Sequence, residues 1–264
     1  GSHRREPAFL AVSGGVGRLP GAVAAAATAR GVDVRLQAPV SALQRTGAGW
    51  TLVVGGRDGA QTVAADAVVL AVPAGPAARL LGPTVPTAAG LLAGIDYASV
   101  VVVTAAFPAA ALPQLPRGSG ILVPPSEGRT VKAVTVSSAK WGWYAGAAPG
   151  LVLVRLSLGR HGEHGVLDRD DAELIRVGLA DLAALTAVRG EPLDVRVTRW
   201  VDGLPQYDVG HLHRVARVRE QLHAHPGLEV AGAPYDGVGV PAVIASGQRA
   251  AGAVLSFLAG ENVE

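Results

Sequence analysis

The chain has 264 residues, of which 49% are hydrophobic and 17% charged; this excludes a disordered protein and allows a large core. Its net charge of +2 predicts no basic patch, so we expect no nucleic-acid partner. The absence of Cys excludes disulfides, Cys-ligated metals and a thioether-linked cofactor. No apolar run reaches the ~18 residues of a membrane span and no signal sequence is visible, so we expect a cytoplasmic protein, with peripheral membrane contact left open.

The first part of the chain alternates between strand and helix patterns. Residues 8–36 predict a βαβ-like unit, in which an alanine-rich helix over residues 19–30 ends at Gly31. A glycine-dense hairpin is predicted between residues 50 and 63. The apolar run 67–72 is uninterrupted, which is typical of a strand buried on both faces.

Longer strands follow residue 97 and predict one mixed sheet. Its strands are expected at residues 99–107, 120–123, 131–137, 151–158 and 194–200. Amphipathic helices are predicted over residues 168–188, where Asp168 is the expected N-cap, and over residues 209–224. The chain closes with a strand at residues 228–232 and a helix from Pro241 to Leu258.

This order of elements predicts an α/β fold in which the chain leaves one domain and later returns to it. We place the first domain at residues 8–96 and a mixed-sheet second domain at residues 97–226. Residues 227–260 are expected to return to the first domain.

Two motifs carry most of the chemical signal. The first is the run G-A-P-Y-D-G-V-G-V-P from Gly232 to Pro241, which joins a strand to a helix. Its glycines let a ligand approach the backbone, and a helix start offers free N–H groups; the alternative is an ordinary strand-to-helix turn. The second is T-R-W-V-D-G-L-P-Q-Y-D-V-G-H at residues 198–211, where a strand ends among side chains that can stack and hydrogen-bond.

Known catalytic and metal-binding patterns are missing from the sequence. It contains no G-x-S-x-G, H-E-x-x-H or G-x-x-x-x-G-K-[ST] pattern and no complete G-x-G-x-x-G. His211 and His213 are two residues apart on a predicted helix and point to different faces, so no metal site is predicted. No acid, base or nucleophile can be assigned, which favours an enzyme whose cofactor carries the chemistry.

At these motifs the sequence resembles the FAD-dependent porphyrinogen oxidases, which are the protoporphyrinogen and coproporphyrinogen III oxidases among the amine-oxidase-like flavoproteins. The resemblance rests on R-W … L-P-Q-Y … G-H within residues 199–211 and on residues 228–251, with support from residues 9–20, 34–40 and 66–74. It implies part of an FAD-binding Rossmann-like domain plus a mixed-sheet substrate domain. It also implies oxidation of coproporphyrinogen III, or of protoporphyrinogen IX, with O2 as acceptor in haem biosynthesis.

The resemblance further implies which residues meet the cofactor FAD. Val40 corresponds to a valine whose backbone meets the adenine side, and Trp200 to a tryptophan near the flavin. Val238, Gly239 and Val240 correspond to main chain at the flavin ring. A side chain at Gly239 is expected to clash with the ring or to force a backbone angle that only glycine adopts cheaply.

The sequence departs from this family at its start. Family members begin with a strand–GxGxxG–helix unit that holds the FAD pyrophosphate, and the sequence has no such motif, so it is expected to be a C-terminal portion that binds FAD weakly by itself. Two alternatives stay open: another amine-oxidase-like flavoenzyme, acting on an amine or a carotenoid precursor, and a non-catalytic binding fragment. The sequence decides neither between the two porphyrinogens nor the oligomeric state.

Overall fold

A computed structural model describes residues 10–47, 49–56, 59–112 and 118–260. The helices are α1 (Arg18–Thr28), α2 (Ala74–Leu81), α3 (Pro86–Ala93), α4 (Ser137–Lys140), α5 (Trp143–Ala147), α6 (Asp171–Leu185), α7 (His211–His223), α8 (Ala233–Asp236) and α9 (Val240–Leu258). The strands are β1 (Val40–Thr46), β2 (Gly49–Val54), β3 (Gln61–Ala65), β4 (Val68–Leu70), β5 (Tyr97–Pro108), β6 (Gly120–Leu122), β7 (Val131–Val136), β8 (Leu151–Leu158), β9 (Asp194–Pro205) and β10 (Leu228–Val230). The predicted mixture of helices and sheets is confirmed.

The chain divides into two compact units, each made of two separate stretches of sequence. The sheet unit contains the residues up to Val34 and Ser99–Val201, and the loop unit contains Arg35–Ala98 and the residues from Asp202 onward. The chain therefore leaves each unit and later returns to it, and two of the boundaries between the units lie inside β5 and β9. Which unit binds cofactor and which binds substrate is not decided by this division, so the domain roles stay a prediction.

The sheet unit is built on a five-stranded sheet in the order β6-β7-β8-β5-β9, which confirms the single sheet predicted from the alternating segments. β5 and β8 run antiparallel from the pair Val101↔Leu158 to the pair Pro108↔Leu151. One face of this sheet packs against α6, whose Leu174 and Leu182 are completely buried in the unit's core. Because every second residue of each strand joins that core, the intervening residues are directed to the opposite face.

The start of α6 differs from the prediction. The helix begins at Asp171, and the N-cap is Asp170, whose carboxylate accepts a 2.7 Å hydrogen bond from the backbone N–H of Glu173. The expected cap at Asp168 is therefore wrong. Two carboxylates in the first turn, those of Asp171 and Glu173, further favour this start through the helix dipole.

The predicted βαβ-like unit over residues 8–36 is only partly correct. Its helix is present as α1, but no strand precedes or follows α1 within residues 10–36, and residues 8 and 9 lie outside the described residues. The helix buries none of its residues, while Leu10 and Leu36 are 86% and 85% exposed. A segment with a strand-like sequence becomes a strand only where a neighbouring strand satisfies its backbone groups. None of the described strands pairs with residues 10–12 before α1 or with residues 32–36 after it.

The loop unit holds two smaller sheets. β1, β2 and β3 form an antiparallel meander, which confirms the predicted hairpin and adds β1, a strand that was not predicted. β4 and β10 pair in parallel, with Val68 opposite Leu228 and Leu70 opposite Val230. Val69 between them is 39% exposed, so the expected burial of this strand on both faces is wrong.

Helices complete the core of the loop unit. Buried side chains of α2, α3 and α7 surround the two parallel strands and the fully buried Tyr235. The predicted helix over residues 209–224 is confirmed as α7, and the closing helix as α9. Of the helices in the described ranges, none combines the length and apolar character needed to cross a membrane.

Candidate functional site

The glycine-rich loop between β10 and α9 presents apolar side chains and bare backbone to the outside. After β10 the chain makes the single turn α8 and reaches Gly239, which immediately precedes α9. Val238 and Val240 are 49% and 46% exposed, although aliphatic side chains of this size are usually buried. Gly239 lies exposed between them.

The start of α9 adds hydrogen-bond donors to this surface. The first N–H groups of an α-helix have no acceptor within the helix, and Gly239 at the N-cap supplies no side-chain hydrogen bond. The first turn of α9 contains no acidic residue, so the positive end of the helix dipole is not neutralised there. A flat ring with an apolar face and a polar, electron-accepting edge fits such a surface.

The two glycines of the loop differ in what they tolerate. Gly237 has a φ of +142°, and a Cβ there would lie 2.8 Å from the Cβ of Ala242, so the chain itself excludes a side chain. Gly239 has a φ of −73° and a ψ of 146°, angles that any residue adopts. A Cβ at Gly239 would meet only the Cδ of Pro241, at 3.9 Å. The expectation that Gly239 needs a backbone angle reserved for glycine is therefore wrong, and a steric limit at Gly239 would have to come from a bound molecule.

Tyr207 of the L-P-Q-Y motif ties the loop to the start of α7. Its hydroxyl donates a hydrogen bond to the carbonyl oxygen of Ala233, and the backbone N–H of Gly237 interacts with the same hydroxyl. The ring of Tyr207 stacks on that of His211, with 4.0 Å between centroids and 9° between planes. Burial raises the pKa of Tyr207 above its ordinary value, so the hydroxyl keeps the proton that it donates.

We call the hydrogen bond from Tyr207 to Ala233 the tether. His211 and Tyr235 place further polar groups in the interior of the same unit. His211 is 4% exposed and Tyr235 is fully buried. In the described part of the chain, both ring nitrogens of His211 lack a hydrogen-bond partner, and so does the hydroxyl of Tyr235. Burial, with a smaller contribution from Tyr97, raises the pKa of Tyr235. Across the described ranges no three His, Asp or Glu side chains converge as metal ligands do.

Asp236 fastens the other end of α8. Its carboxylate forms an ion pair with Arg219 of α7 at 2.6 Å and a second one with Arg249 of α9. Burial by itself would raise the pKa of Asp236, but the hydrogen bonds and charges of the two arginines outweigh it and hold the pKa below its ordinary value. The turn α8, which leads into the glycine-rich loop, is thus held by Tyr207 from the segment before α7, by Arg219 from α7 and by Arg249 from α9.

Val40, the residue expected on the adenine side, begins β1 and is 38% exposed. The strand has an irregular register between Val40 and Ala42. A cavity of about 350 Å³ lies in the same unit, and its lining consists of Arg35, Leu36, Gln37, Ala38, Val54, Gly55, Gly56 and Gln61. Residues 35–38 of this lining lie just before Val40 in sequence, and Val54 pairs with Val40 across the sheet. The cavity therefore lies next to the first residue of β1, and its volume is within the range of small-molecule pockets.

Trp200 lies on β9 in the sheet unit and is 54% exposed. The preceding residue, Arg199, hydrogen-bonds the carbonyl oxygens of Leu167 and Arg169 and pairs with Asp171 at the start of α6. Since successive strand residues alternate, Trp200 is directed away from α6. Of the five predicted site residues, Val40, Val238, Gly239 and Val240 therefore lie in the loop unit and Trp200 in the sheet unit; their contact with a cofactor stays a prediction.

The tether was not predicted from the sequence. The notable signal was the four-residue spacing of Tyr207 and His211, which allows two rings to meet near a helix start. Nothing in the sequence pattern indicated that the hydroxyl of Tyr207 would reach Ala233, or that Asp236 would receive two arginines. These contacts join distant segments and became visible only in the folded chain.

Comparison with known proteins identifies relatives across nearly the whole chain. The family described as "Flavin containing amine oxidoreductase" matches residues 3–255. A coproporphyrinogen III oxidase of Mycobacterium leprae is 42% identical over 213 residues, which cover 81% of this chain and 45% of that protein. The coproporphyrinogen III oxidase of Bacillus subtilis is 32% identical over 221 residues, covering 83% and 45%. Human protoporphyrinogen oxidase is 32% identical over 250 residues, covering 92% and 50%. The chain thus spans about half the length of the curated relatives it matches.

Solved structures give the same fold. A protein from Exiguobacterium sp. 255-15, provisionally described as a protoporphyrinogen oxidase, superposes with a TM-score of 0.75 at 29% identity, covering 97% of this chain and 53% of that one. Cyclohexylamine oxidase from Brevibacterium oxydans superposes with a TM-score of 0.69 at 18% identity, covering 93% and 53%. The second match supports the fold alone.

Proposed function

The chain belongs to the flavin containing amine oxidoreductase family, and from that premise we propose that it binds FAD and serves in the oxidation of a porphyrinogen. Coproporphyrinogen III is the proposed substrate, and coproporphyrin III the product. The names of the relatives at 42% and 32% identity support this choice. The observation that carries the proposal is the glycine-rich loop before α9, where exposed valines, exposed backbone and uncapped helix N–H groups fit a flavin ring.

The residues of the loop unit have distinct roles in this proposal. The backbone of Val238, Gly239 and Val240 holds the edge of the ring, and the backbone of Val40 holds the adenine side. Tyr207 and Asp236 act indirectly, because they keep the loop in the conformation that the ring requires. FAD itself, when bound, supplies the two-electron chemistry, and the chain contributes binding, orientation and exclusion of water.

The proposed reaction needs no assigned acid, base or nucleophile from the protein. Coproporphyrinogen III loses six electrons and six protons in three two-electron rounds and becomes the aromatic porphyrin. Three molecules of O2 accept them and leave as three molecules of H2O2. Positioning a flexible macrocycle is the protein's main task in such a reaction.

The test is a turnover assay on the natural gene product that contains this chain. Incubation with coproporphyrinogen III under air is expected to yield fluorescent coproporphyrin III, with three H2O2 formed per porphyrin. Protoporphyrinogen IX should react more slowly, and putrescine and cyclohexylamine should not react. Turnover of an amine without turnover of either porphyrinogen would overturn the proposal in favour of the amine-oxidase alternative. Absence of flavin and of all turnover would favour a non-catalytic binding role.

We also propose a cytoplasmic location with peripheral membrane contact, because the proposed substrate is an anionic macrocycle with apolar faces. Fractionation of cells is expected to recover the protein in the soluble fraction, together with a salt-releasable membrane pool. Recovery only after detergent extraction would contradict this location.

A further inference from the structure

The five-stranded sheet has one face against α6 and a second face whose residues can be identified from the contacts. A Cβ at Gly178 of α6 would lie 3.2 Å from Leu156 Cδ1 and 3.9 Å from Val103 Cγ2, so both of these side chains point toward α6. Their neighbours in sequence, Arg155 and Thr104, are therefore directed to the other face, which we call the open face.

Arg155 stands at the middle of the open face between two hydroxyl groups. It lies on β8, the central strand of the sheet. Thr104 of β5 is its direct partner on one side, and Thr135 of β7 its direct partner on the other. Direct partners across antiparallel strands share a face, so the three side chains form one row. Arg155 is exposed, and the threonines are half-buried.

The edge strand β9 adds a cation and an aromatic ring to the open face. Val195 and Val197 pack against the core beneath α6, so Arg196 between them is directed to the open face. Arg199 contacts the segment before α6. Because successive strand residues alternate, Trp200 is directed to the open face. The open face therefore combines two arginines with a half-exposed tryptophan.

The positive charge of this face is only partly balanced by the acidic residues that the structure describes. Arg129, Arg160 and Arg199 of the sheet unit all form ion pairs or hydrogen bonds, whereas Arg155 and Arg196 have no such partner within the described ranges. The sequences of β5, β6, β7 and β8 contain no Asp or Glu. In the sheet unit, Asp194, at the first residue of β9, is the acidic residue that strand alternation directs to this face.

We propose that Arg155, with Thr104 and Thr135 beside it, binds a carboxylate group of the substrate on the open face. The guanidinium presents paired N–H donors that match a carboxylate in two parallel hydrogen bonds, and each threonine can donate one more. Arg196 strengthens the positive field. This inference rests on the proposed function: it identifies the substrate class as a polycarboxylate with an apolar body, as coproporphyrinogen III is. A cationic amine would be repelled by two unpaired arginines.

The test compares Arg155→Ala and Arg155→Lys with Arg176→Ala, an exposed arginine on α6 away from the open face. Binding of coproporphyrin III to the natural gene product is measured by porphyrin fluorescence, alongside its tetramethyl ester, which has no carboxylates. Arg155→Ala is expected to weaken binding of the acid about tenfold, because one charge-assisted hydrogen-bond pair is lost. Binding of the ester and the flavin content should not change. Arg155→Lys should fall between, and Arg176→Ala should match the unmodified protein.

Two outcomes separate this inference from the proposed function. If Arg155→Ala binds the acid as tightly as the unmodified protein, or loses acid and ester equally, the inference is wrong, while turnover of coproporphyrinogen III by the unmodified protein keeps the proposed function. If the unmodified protein neither binds nor oxidises the tetrapyrrole, the proposed function fails and the inference fails with it. Circular dichroism of each variant checks that the fold is intact.

Discussion

The sheet unit and the loop unit build their cores in different ways. In the sheet unit, β6, β7 and β8 pair in the order in which they occur, and α6 covers one face of the sheet. In the loop unit, β4 pairs with β10 from the other end of the chain. The proposed cofactor contacts of the loop unit lie at the first residues of β1 and α9 and on the irregular segment that precedes α9. Regular strands thus provide the core and the open face of the sheet unit. In the loop unit, the glycine-rich loop contains the position, Gly237, whose backbone conformation excludes a side chain.

The core of the sheet unit should show the largest effect of a single substitution. Leu182→Ala removes a fully buried side chain from the contact between α6 and the sheet, and we expect it to lower the free energy of unfolding by about 2–5 kcal/mol. Leu193→Ala, at a side chain that is 67% exposed in the same unit, should change it by less than about 0.5 kcal/mol. Denaturant titration followed by circular dichroism measures both. Equal effects would mean that α6 does not form the core face.

This contrast explains how far the sequence predicts the fold. The five strands of the sheet unit were identified correctly because alternation along each strand reflects one packed and one unpacked face. Residues 32–36 alternate in the same way and form no strand, since no neighbouring strand pairs with them. The apolar run 67–72 was predicted to be a strand buried on both faces. How far each face is buried depends on which elements pack against it, and the hydrophobic pattern of the strand itself does not show this.

The site shows the same division. The glycine-rich loop was recognised because glycine and proline at a helix start are local signals. The tether from Tyr207 to Ala233 joins residues that are 26 positions apart, and no local pattern predicts such a contact. The strain at Gly237, instead of Gly239, depends on where Ala242 lies and also required the folded chain.

A side chain at Gly237 should cause the second largest loss of stability, after the substitution at Leu182. Gly237→Ala places a Cβ against Ala242 at a φ of +142°, which we expect to cost about 1–3 kcal/mol. Gly239→Ala is the matched control, because its backbone angles and surroundings accept a methyl group. Thermal unfolding of both variants without added flavin makes the comparison. A Gly237→Ala variant as stable as Gly239→Ala would show that the loop is not held as described.

Removing the hydroxyl of Tyr207 should loosen the loop with a smaller loss of stability. Tyr207→Phe deletes the hydrogen bond to Ala233 but keeps the stacking on His211, so a loss of about 1 kcal/mol is expected. Hydrogen exchange of the amides in residues 233–239 should become faster. Tyr144→Phe in the sheet unit is the control. Unchanged exchange in this segment would contradict the tether.

The smallest expected effect concerns the ion pairs of Asp236 and its dependence on pH. The pKa of Asp236 is lowered in the folded chain, so the carboxylate stabilises the fold at pH values above its ordinary pKa, and this contribution is lost as pH falls through the lowered value. Asp236→Asn should therefore be less stable at pH 7 by roughly 1 kcal/mol or less. The difference between the variant and the unmodified protein should disappear in acid. A difference that is the same at pH 7 and at pH 2 would contradict the ionic origin.

The flavin content of a Gly239→Val variant of the natural gene product tests the central claim most directly, namely that the loop before α9 binds the flavin ring. The backbone angles of Gly239 accept valine, and a Cβ there meets the chain only at Pro241, so the protein alone gives no reason for loss of fold. We predict that acid precipitation releases a non-covalently bound flavin from the unmodified protein. Gly239→Val should keep its circular dichroism spectrum but lose most of its flavin absorbance relative to protein, while Gly239→Ala retains part of it. Full flavin content in Gly239→Val would contradict the claim.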